Sequence, residues 1–352
     1  MQQPRYEYAD LLSLGAAIFE WAGLPSDKAA ITARCLLAAD LMGHTTHGLQ
    51  LCRAYIKQFE SGDWRTDGEI EVVSDNGGNI VWNANYLPGP WVTDRAVHTL
   101  IERVDEVGVA TLAIRECSHI GCLQAYLTAA TDHGCMMILM CSDPFTRSVA
   151  PFGGIDPLFT PNPIAVGIPT EKDPILVDVS CSITTNGSVM RTHDAGERLP
   201  GKWLLTADGE LTDDPGAAVT DPPATVLPIG GMDYGHKGYA LALMVEALTQ
   251  GLSGYGRSDA PDRWGASMFI QLLGPQAFAG SAAFTEQTEW LREACCDSRP
   301  RPDCEAVRVP GQRAQELQRE MLANGVVLAP PVEESLRRCC DDADLIFPEA
   351  RG

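Results

Sequence analysis

Apolar residues recur every three or four positions along residues 8 to 22 and again along 26 to 42, the spacing that gathers them on one side of an α-helix. Ser26 opens the second run with a side chain suited to cap free backbone N–H groups, so two helices are predicted here. The run "LQLCRAYIKQFESGDW" keeps the same period and predicts a third helix, closed by Gly62. From about residue 77 the pattern shortens. "NIVWNA", "VATLAI", "MMILMCS" and "ILVDVS" predict strands, with a helix over residues 122 to 133 between two of them. Pro and Gly crowd residues 144–174 and 200–235 and predict long irregular loops, which in a compact body are more often functional than idle. "GHKGYALALMVEALTQGLSG" predicts a late helix with apolar positions 241, 244, 245, 248 and 252 as one face. Helical spacing returns around "QRAQELQREMLANGV". The expected organisation is a helical region over residues 1–75 that packs with 310–352, joined to an α/β body over 76–309.

The chain of 352 residues exceeds what one core usually organises, about 250 to 300 residues, which fits more than one packed unit. Its 45% hydrophobic and 21% charged residues are those of an ordinary globular protein. The 47 acidic against 26 basic residues leave a net charge of -21, which repels nucleic-acid phosphates and anionic membrane surfaces alike. Neither is expected as a partner. An anionic ligand must then be met by locally placed Lys, Arg or helix N-termini. Among the 12 cysteines two pairs are adjacent, Cys295-Cys296 and Cys339-Cys340, and no Cys-x-x-Cys occurs, which argues against a zinc ribbon or a thioredoxin-like site. The longest apolar run is about "CMMILMC", far short of the roughly 18 residues of a membrane span. A cytoplasmic protein with reduced, mostly buried thiols is expected.

Candidate chemistry begins in "ADLMGHTTHGLQL". Asp40, His44 and His47 are acceptable metal ligands, and the spacing i, i+4, i+7 shares one helix face. Gly43 and two threonines weaken a helix there, and no His-Glu-x-x-His is present. Proton transfer needs only one histidine oriented by a hydroxyl or carboxylate, and Thr46-His47 supplies that; packing alone is the third reading. His119, in "ECSHIGCLQAY", follows a strand-like run and precedes a helix-like one, a usual place for a site residue. In "PIGGMDYGHKGYALAL", glycines 230, 231, 235 and 238 lead into a helix whose free N–H groups, joined by Lys237, can face a phosphate, although a plain loop with a surface lysine explains the same residues. No Gly-x-Gly-x-x-Gly occurs, so the Rossmann fingerprint is absent.

Taken together, "THG", "SHIGCLQAYLTAATDHG", "VAPFGG...PNPIAVGIP", "ILVDVS", "LPIGG...GHKGYALALMVEAL" and "VPGQ" resemble the malate/L-lactate dehydrogenase family, the type-2 family that also holds ureidoglycolate, sulfolactate and 2,3-diketogulonate enzymes and cyclic-imine reductases. The likeness runs from about residue 8 to 336. It implies a non-Rossmann, sulfolactate dehydrogenase-like α/β fold, a homodimer, and hydride transfer between the nicotinamide of NAD or NADP and the 2-carbon of a 2-oxo acid, 2-hydroxy acid or imine. By that resemblance His47 is the proton donor, with Thr46 where serine is usual, and Asp178 completes a relay with the pair. His119 matches a second histidine that serves in some members as acid/base or lies beside the nicotinamide, so the proton carrier stays open between the two. Cofactor contacts carry over to Ser142, Ser180, Ser182, His236, Lys237, Gly311, Gln312 and Arg313. Asn162 and Pro163 match a family Gly-Thr-Asn-Pro in which Thr160-Pro161 replaces the first two residues.

One departure bears on the substrate. Many members carry an Arg four residues after the histidine, where it can grip a carboxylate with two hydrogen bonds; here that residue is Leu51. Some hydroxycarboxylate dehydrogenases of the family also lack it. Arg53 is close in sequence, but a helix turns it away from His47. Arg147, in "SDPFTRSVAPFGG", is the expected alternative. Two other functions compete with the oxidoreductase: a metal-dependent hydrolase built on His44 and His47, and a noncatalytic nucleotide-binding relative.

Overall fold

The computed structural model describes residues 3–351. Its body is a seven-stranded mixed sheet in the order β1-β2-β3-β10-β4-β5-β6. The strands are β1 (Glu71–Asp75), β2 (Asn79–Asn83), β3 (Val109–Cys117), β4 (Met136–Ser142), β5 (Ile164–Ile168), β6 (Ile175–Val179) and β10 (Ala266–Leu273). Only β2 and β3 run parallel; every other neighbouring pair is antiparallel. A small second sheet of β7 (Leu204–Leu205), β8 (Leu211–Thr212) and β9 (Thr225–Val226) has the order β8-β7-β9.

One face of the large sheet is covered by α4 (Gly89–Val107), which lays Trp91, Ala96, Leu100 and Val104 on Ile80, Leu112, Ile114 and Ile270. Residues 122 to 133 complete that face as a 3-10 turn, Leu123–Tyr126, followed by the short α5 (Leu127–Asp132), not as one continuous helix. The other face carries α6 (Asn186–Asp194), α7 (Gly231–Glu246) and the small sheet, around Met140, Phe269, Val189, Val226 and Val245. Beyond the body, α8 (Ser281–Cys296) leads to the C-terminal helices. A separate core joins α1 (Tyr8–Trp21), α2 (Ser26–Leu41) and α3 (Cys52–Ser61) to α9 (Gln312–Asn324) and α10 (Pro330–Ala343), with Leu11, Ile18, Phe19, Leu36 and Tyr55 against Met321, Val326 and Leu336.

Of the expected face of the late helix, Val245 and Leu248 pack on the core, but Leu241, Met244 and Leu252 do not. The buried line of α7 is Gly235, Gly238, Ala242 and Val245, while Leu241 and Met244 are each 40% exposed and Leu252 is 54% exposed. The reason lies in Gly238. A Cβ there would stand 2.5 Å from the Ile229 nitrogen and 2.6 Å from the Cys181 oxygen, so the helix presses its glycine side onto backbone and turns its leucines outward. After Glu246 the helix widens into a π turn, Ala247–Gly251.

Strand directions decide where chemistry gathers. Because β10 runs antiparallel to both β3 and β4, pairing Ala266 with Cys117 and Ser267 with Ser142, the segments carrying His119, Ser142 and Trp264 leave the same end of the sheet. The pairing Ile164–Val179 brings Asn162 and Ser180 to that end as well. His119 and Ser180 follow strands four spacings apart, which sets a site roughly 19 Å wide.

Candidate active site

His119 is built into an aromatic cradle. Its ring lies 4.8 Å from Trp264 and 5.9 Å from Tyr55, and Tyr55 in turn packs on Trp64. The Tyr55 hydroxyl is 2.7 Å from His119 Nδ1 and 3.0 Å from the His119 carbonyl. Gly121 donates its backbone N–H to the same Nδ1 at 3.3 Å, and a backbone N–H can only donate. Nδ1 therefore presents a lone pair, and the hydrogen of the neutral ring sits on Nε2. Burial reinforces this state, pushing the imidazole down to about 3, with the neighbouring His47 contributing in the same direction.

The turn bearing the other histidines crosses in front of this cradle. Gly121, at φ +71°, lets the two loops meet, since a Cβ there would stand 3.2 Å from the His47 oxygen. The His47 and His119 rings stack with centroids 5.8 Å apart. His47 Nδ1 is 3.0 Å from Thr46 Oγ1, and among the described residues no other group bonds its ring. Burial first, then the positive charge available on His44, lowers the His47 proton affinity.

Asp40, His44 and His47 do not share a helix face. Helix α2 ends at Leu41, the chain turns, and Thr45–His47 is a 3-10 turn. Asp40 accepts the Leu49 N–H at 2.7 Å, whereas His44 Nε2 lies 2.5 Å from Gln124 Oε1. The facing arrangement behind a metal reading therefore does not form, and among the described residues no group of three or more His, Cys, Asp or Glu is placed to hold a metal ion.

Asp178 also stands apart from where a direct relay needs it. Its carboxylate accepts the Gln124 N–H at 3.0 Å and the Cys122 thiol at 3.7 Å, with no hydrogen bond to Thr46 or His47. Burial raises its pKa, and the neighbouring His44, the Gln124 N–H and the Cys122 thiol act against that rise.

The remaining expected residues occupy three places. Ser142 and Asn162 are buried beside each other's strands: Ser142 Oγ meets Thr249 Oγ1 at 2.7 Å and Gln250 Nε2 at 3.0 Å, while Asn162 Nδ2 donates to Glu246 Oε1 at 2.9 Å. Pro163 closes this strand start, its carbonyl accepting the Cys141 N–H. Ser180 and Ser182 form a turn after β6 in which Ser180 Oγ donates to the Ser182 carbonyl at 2.8 Å. His236 and Lys237 are exposed on the first turns of α7, His236 beside Phe152 and Lys237 Nζ 4.9 Å from the Tyr234 ring centre. Gly311 begins α9 against Leu176, with Gln312 bonded to Glu316 and Arg313 exposed.

Several participants escape sequence reasoning. Tyr55 occupies an apolar helical position and reads as core. Trp264 and Arg257 belong to no local motif, and Gln124 and Glu246 lie within quoted motifs without being marked by them; Arg257 pairs with Glu246 at 2.9 Å and also donates to the Thr146 carbonyl. Arg53 pairs with Asp342 of α10 at 3.8 Å, away from the histidines, and Arg147 is exposed without an acidic partner among the described residues.

Two stacked histidines at one end of a mixed sheet suit proton transfer, and it is likeness to known proteins that marks the chain as an enzyme of the dehydrogenase type. The family model described as malate/L-lactate dehydrogenase matches residues 6–337, and the chain belongs to that family. The (2R)-3-sulfolactate dehydrogenase (NADP(+)) of Chromohalobacter salexigens is 32% identical over 322 residues, 88% of this chain and 90% of that protein. The solved Δ1-piperideine-2-carboxylate reductase of Pseudomonas syringae pv. tomato superposes with a TM-score of 0.83 at 27% identity, over 96% of this chain and 100% of that one. The malate dehydrogenase of Entamoeba histolytica shares the fold at a TM-score of 0.91 and 20% identity, over 99% and 100%.

Proposed function

We propose that the protein transfers a hydride between NADH or NADPH and the 2-carbon of a small 2-oxo acid, 2-hydroxy acid or cyclic imine, with His47 as the proton carrier. The observation that carries this reading is the asymmetry of the two histidines. His119 is fixed as a neutral ring by Gly121 and by burial, so it serves as a hydrogen-bond donor through Nε2. His47 keeps one ring nitrogen free of protein partners and is oriented through the other by Thr46. A nicotinamide held by the residues below would supply the hydride in reduction. His47 holds a proton on Nε2, stabilises charge growing on the substrate oxygen or nitrogen, and then gives the proton up.

The cofactor positions fit a phosphate-bearing ligand. Arg313 is an exposed cation at the start of α9, whereas Lys237 is exposed in the second turn of α7, past the free N–H groups of the first turn and not among them as expected; neither has an ion-pair partner among the described residues, in a chain of net charge -21. The outward leucine and methionine side of α7 supports a homodimer. No described helix is long and apolar enough to cross a membrane. The cysteines are free, with all but Cys295, Cys296 and Cys304 buried, which supports a reducing cytoplasm.

Leu51, half-buried against the helical core, offers a substrate only apolar contact, which favours substrates with a bulky or apolar group over short diacids such as oxaloacetate. A panel of 2-oxo acids and cyclic imines with each reduced cofactor, followed by nicotinamide absorbance, tests the activity. His47→Asn should lower kcat by roughly 10² to 10⁴-fold with cofactor affinity nearly unchanged. Cofactor binding without turnover of any member of the panel would make the chain a noncatalytic relative.

A further inference from the structure

Asp178 reaches the histidine turn only through intermediaries, and each link has a fixed direction. The Gln124 side chain is buried, and its Nε2 donates to the Leu176 carbonyl at 3.1 Å. That bond orients the amide, so Oε1 is the atom facing His44, and an amide oxygen can only accept. His44 Nε2 therefore carries a hydrogen toward Gln124. The Gln124 backbone N–H meanwhile donates to Asp178. On the far side, the His44 carbonyl accepts the His47 N–H at 2.9 Å and closes the short turn on which the catalytic ring stands.

This turn needs an anchor. It is a single 3-10 turn between Gly43 and Gly48, and a one-turn helix flanked by glycines has little stiffness of its own. Asp40 holds its end by accepting the Leu49 N–H. We propose that His44 is a positioning residue for His47: its Nε2 hydrogen bond to Gln124 Oε1, and not direct contact of the turn with the Asp178 carboxylate, keeps the His47 ring in register with the sheet end. The proposal rests on the reading of His47 as proton carrier.

Two conservative variants of the full-length enzyme separate this from a space-filling role. In His44→Gln the amide N–H falls near the position of Nε2 and can still reach Gln124 Oε1; in His44→Asn the amide is too short and falls near Nδ1. His44→Gln should keep kcat within about threefold of wild type, and His44→Asn should lose roughly 10- to 100-fold in kcat with unchanged cofactor affinity, as for a catalytic group displaced by about an ångström. Equal kcat in the two variants, or loss in Gln and retention in Asn, overturns the proposal. If His47→Asn turns over like wild type, the failure lies with the proton-carrier reading instead.

Discussion

Replacing Asp40 by Asn probes the carboxylate beneath the histidine turn. Asp40 is 4% exposed, one oxygen accepts the Leu49 N–H, and the other, Oδ1, is buried with no partner. Burial pushes its pKa up to about 7, against which the Leu49 N–H acts only in part. An unfolded Asp titrates near about 3.9. Below that pH both states are protonated and the group costs nothing. As pH rises toward 7 the unfolded chain ionises first, and the stability of the neutral buried acid is progressively lost. Above about 7 the full penalty of a buried, half-satisfied carboxylate applies, about three pH units' worth or up to about 4 kcal/mol. Asn cannot titrate. It keeps the acceptor for Leu49 and places an unpartnered NH2 where the neutral acid places an unpartnered O–H, so the offset between the two is small and does not vary with pH. Urea unfolding of both proteins in steps from pH 5 to 8 should show wild type losing about 2 to 3 kcal/mol relative to Asn between pH 5 and 7, with little further change to pH 8. A difference that stays constant across this range would refute the argument that Asp40 is buried as a neutral acid.

The remaining predictions concern turnover and binding. Because burial and His44 lower the His47 proton affinity, kcat/KM for reduction should fall with rising pH along a limb centred below the usual imidazole value of about 6.5; a limb at pH 7 or above contradicts the site as described. Lys237→Ala should weaken NAD(P)H binding by roughly tenfold or more in a fluorescence titration, and unchanged affinity returns Lys237 to a surface role. Leu51→Arg should shift kcat/KM toward small polar 2-oxo acids by about 1 to 3 kcal/mol relative to hydrophobic ones. A wild-type preference for oxaloacetate over hydrophobic 2-oxo acids or imines contradicts the role given to Leu51.

Local pattern made the first three helices and strands β2, β3, β4 and β6 legible, because each carries a clear period or a short β-branched run. Strand β10, "ASMFIQLL", is not: Ser267 and Gln271 interrupt its apolar residues without setting up an alternation, since both of its faces are covered. The face of α7 is legible only in part: Val245 and Leu248 face the core as their spacing predicts, but Leu241 and Met244 do not, because Gly238 decides the packing through a close approach that no apolar scale registers. In the site, the adjacent pair Thr46-His47 is local and was readable. The partners of Asp178 and His119 are set by tertiary approach, between residues 124 and 178 and between 55 and 119, and no spacing along the chain encodes them.

The place of β10 has a kinetic consequence. Strands β3 and β4 are close in sequence, yet they are separated in space by a strand made more than a hundred residues later. Until the ribosome has released residue 273, both carry an unpaired edge, and the ends holding His119 and Ser142 have nothing to hold them at their working separation. Such long-range pairing raises contact order and slows folding. Any sheet formed before then is open along those edges and exposed to aggregation, and its active-site end closes only once β10 has been made.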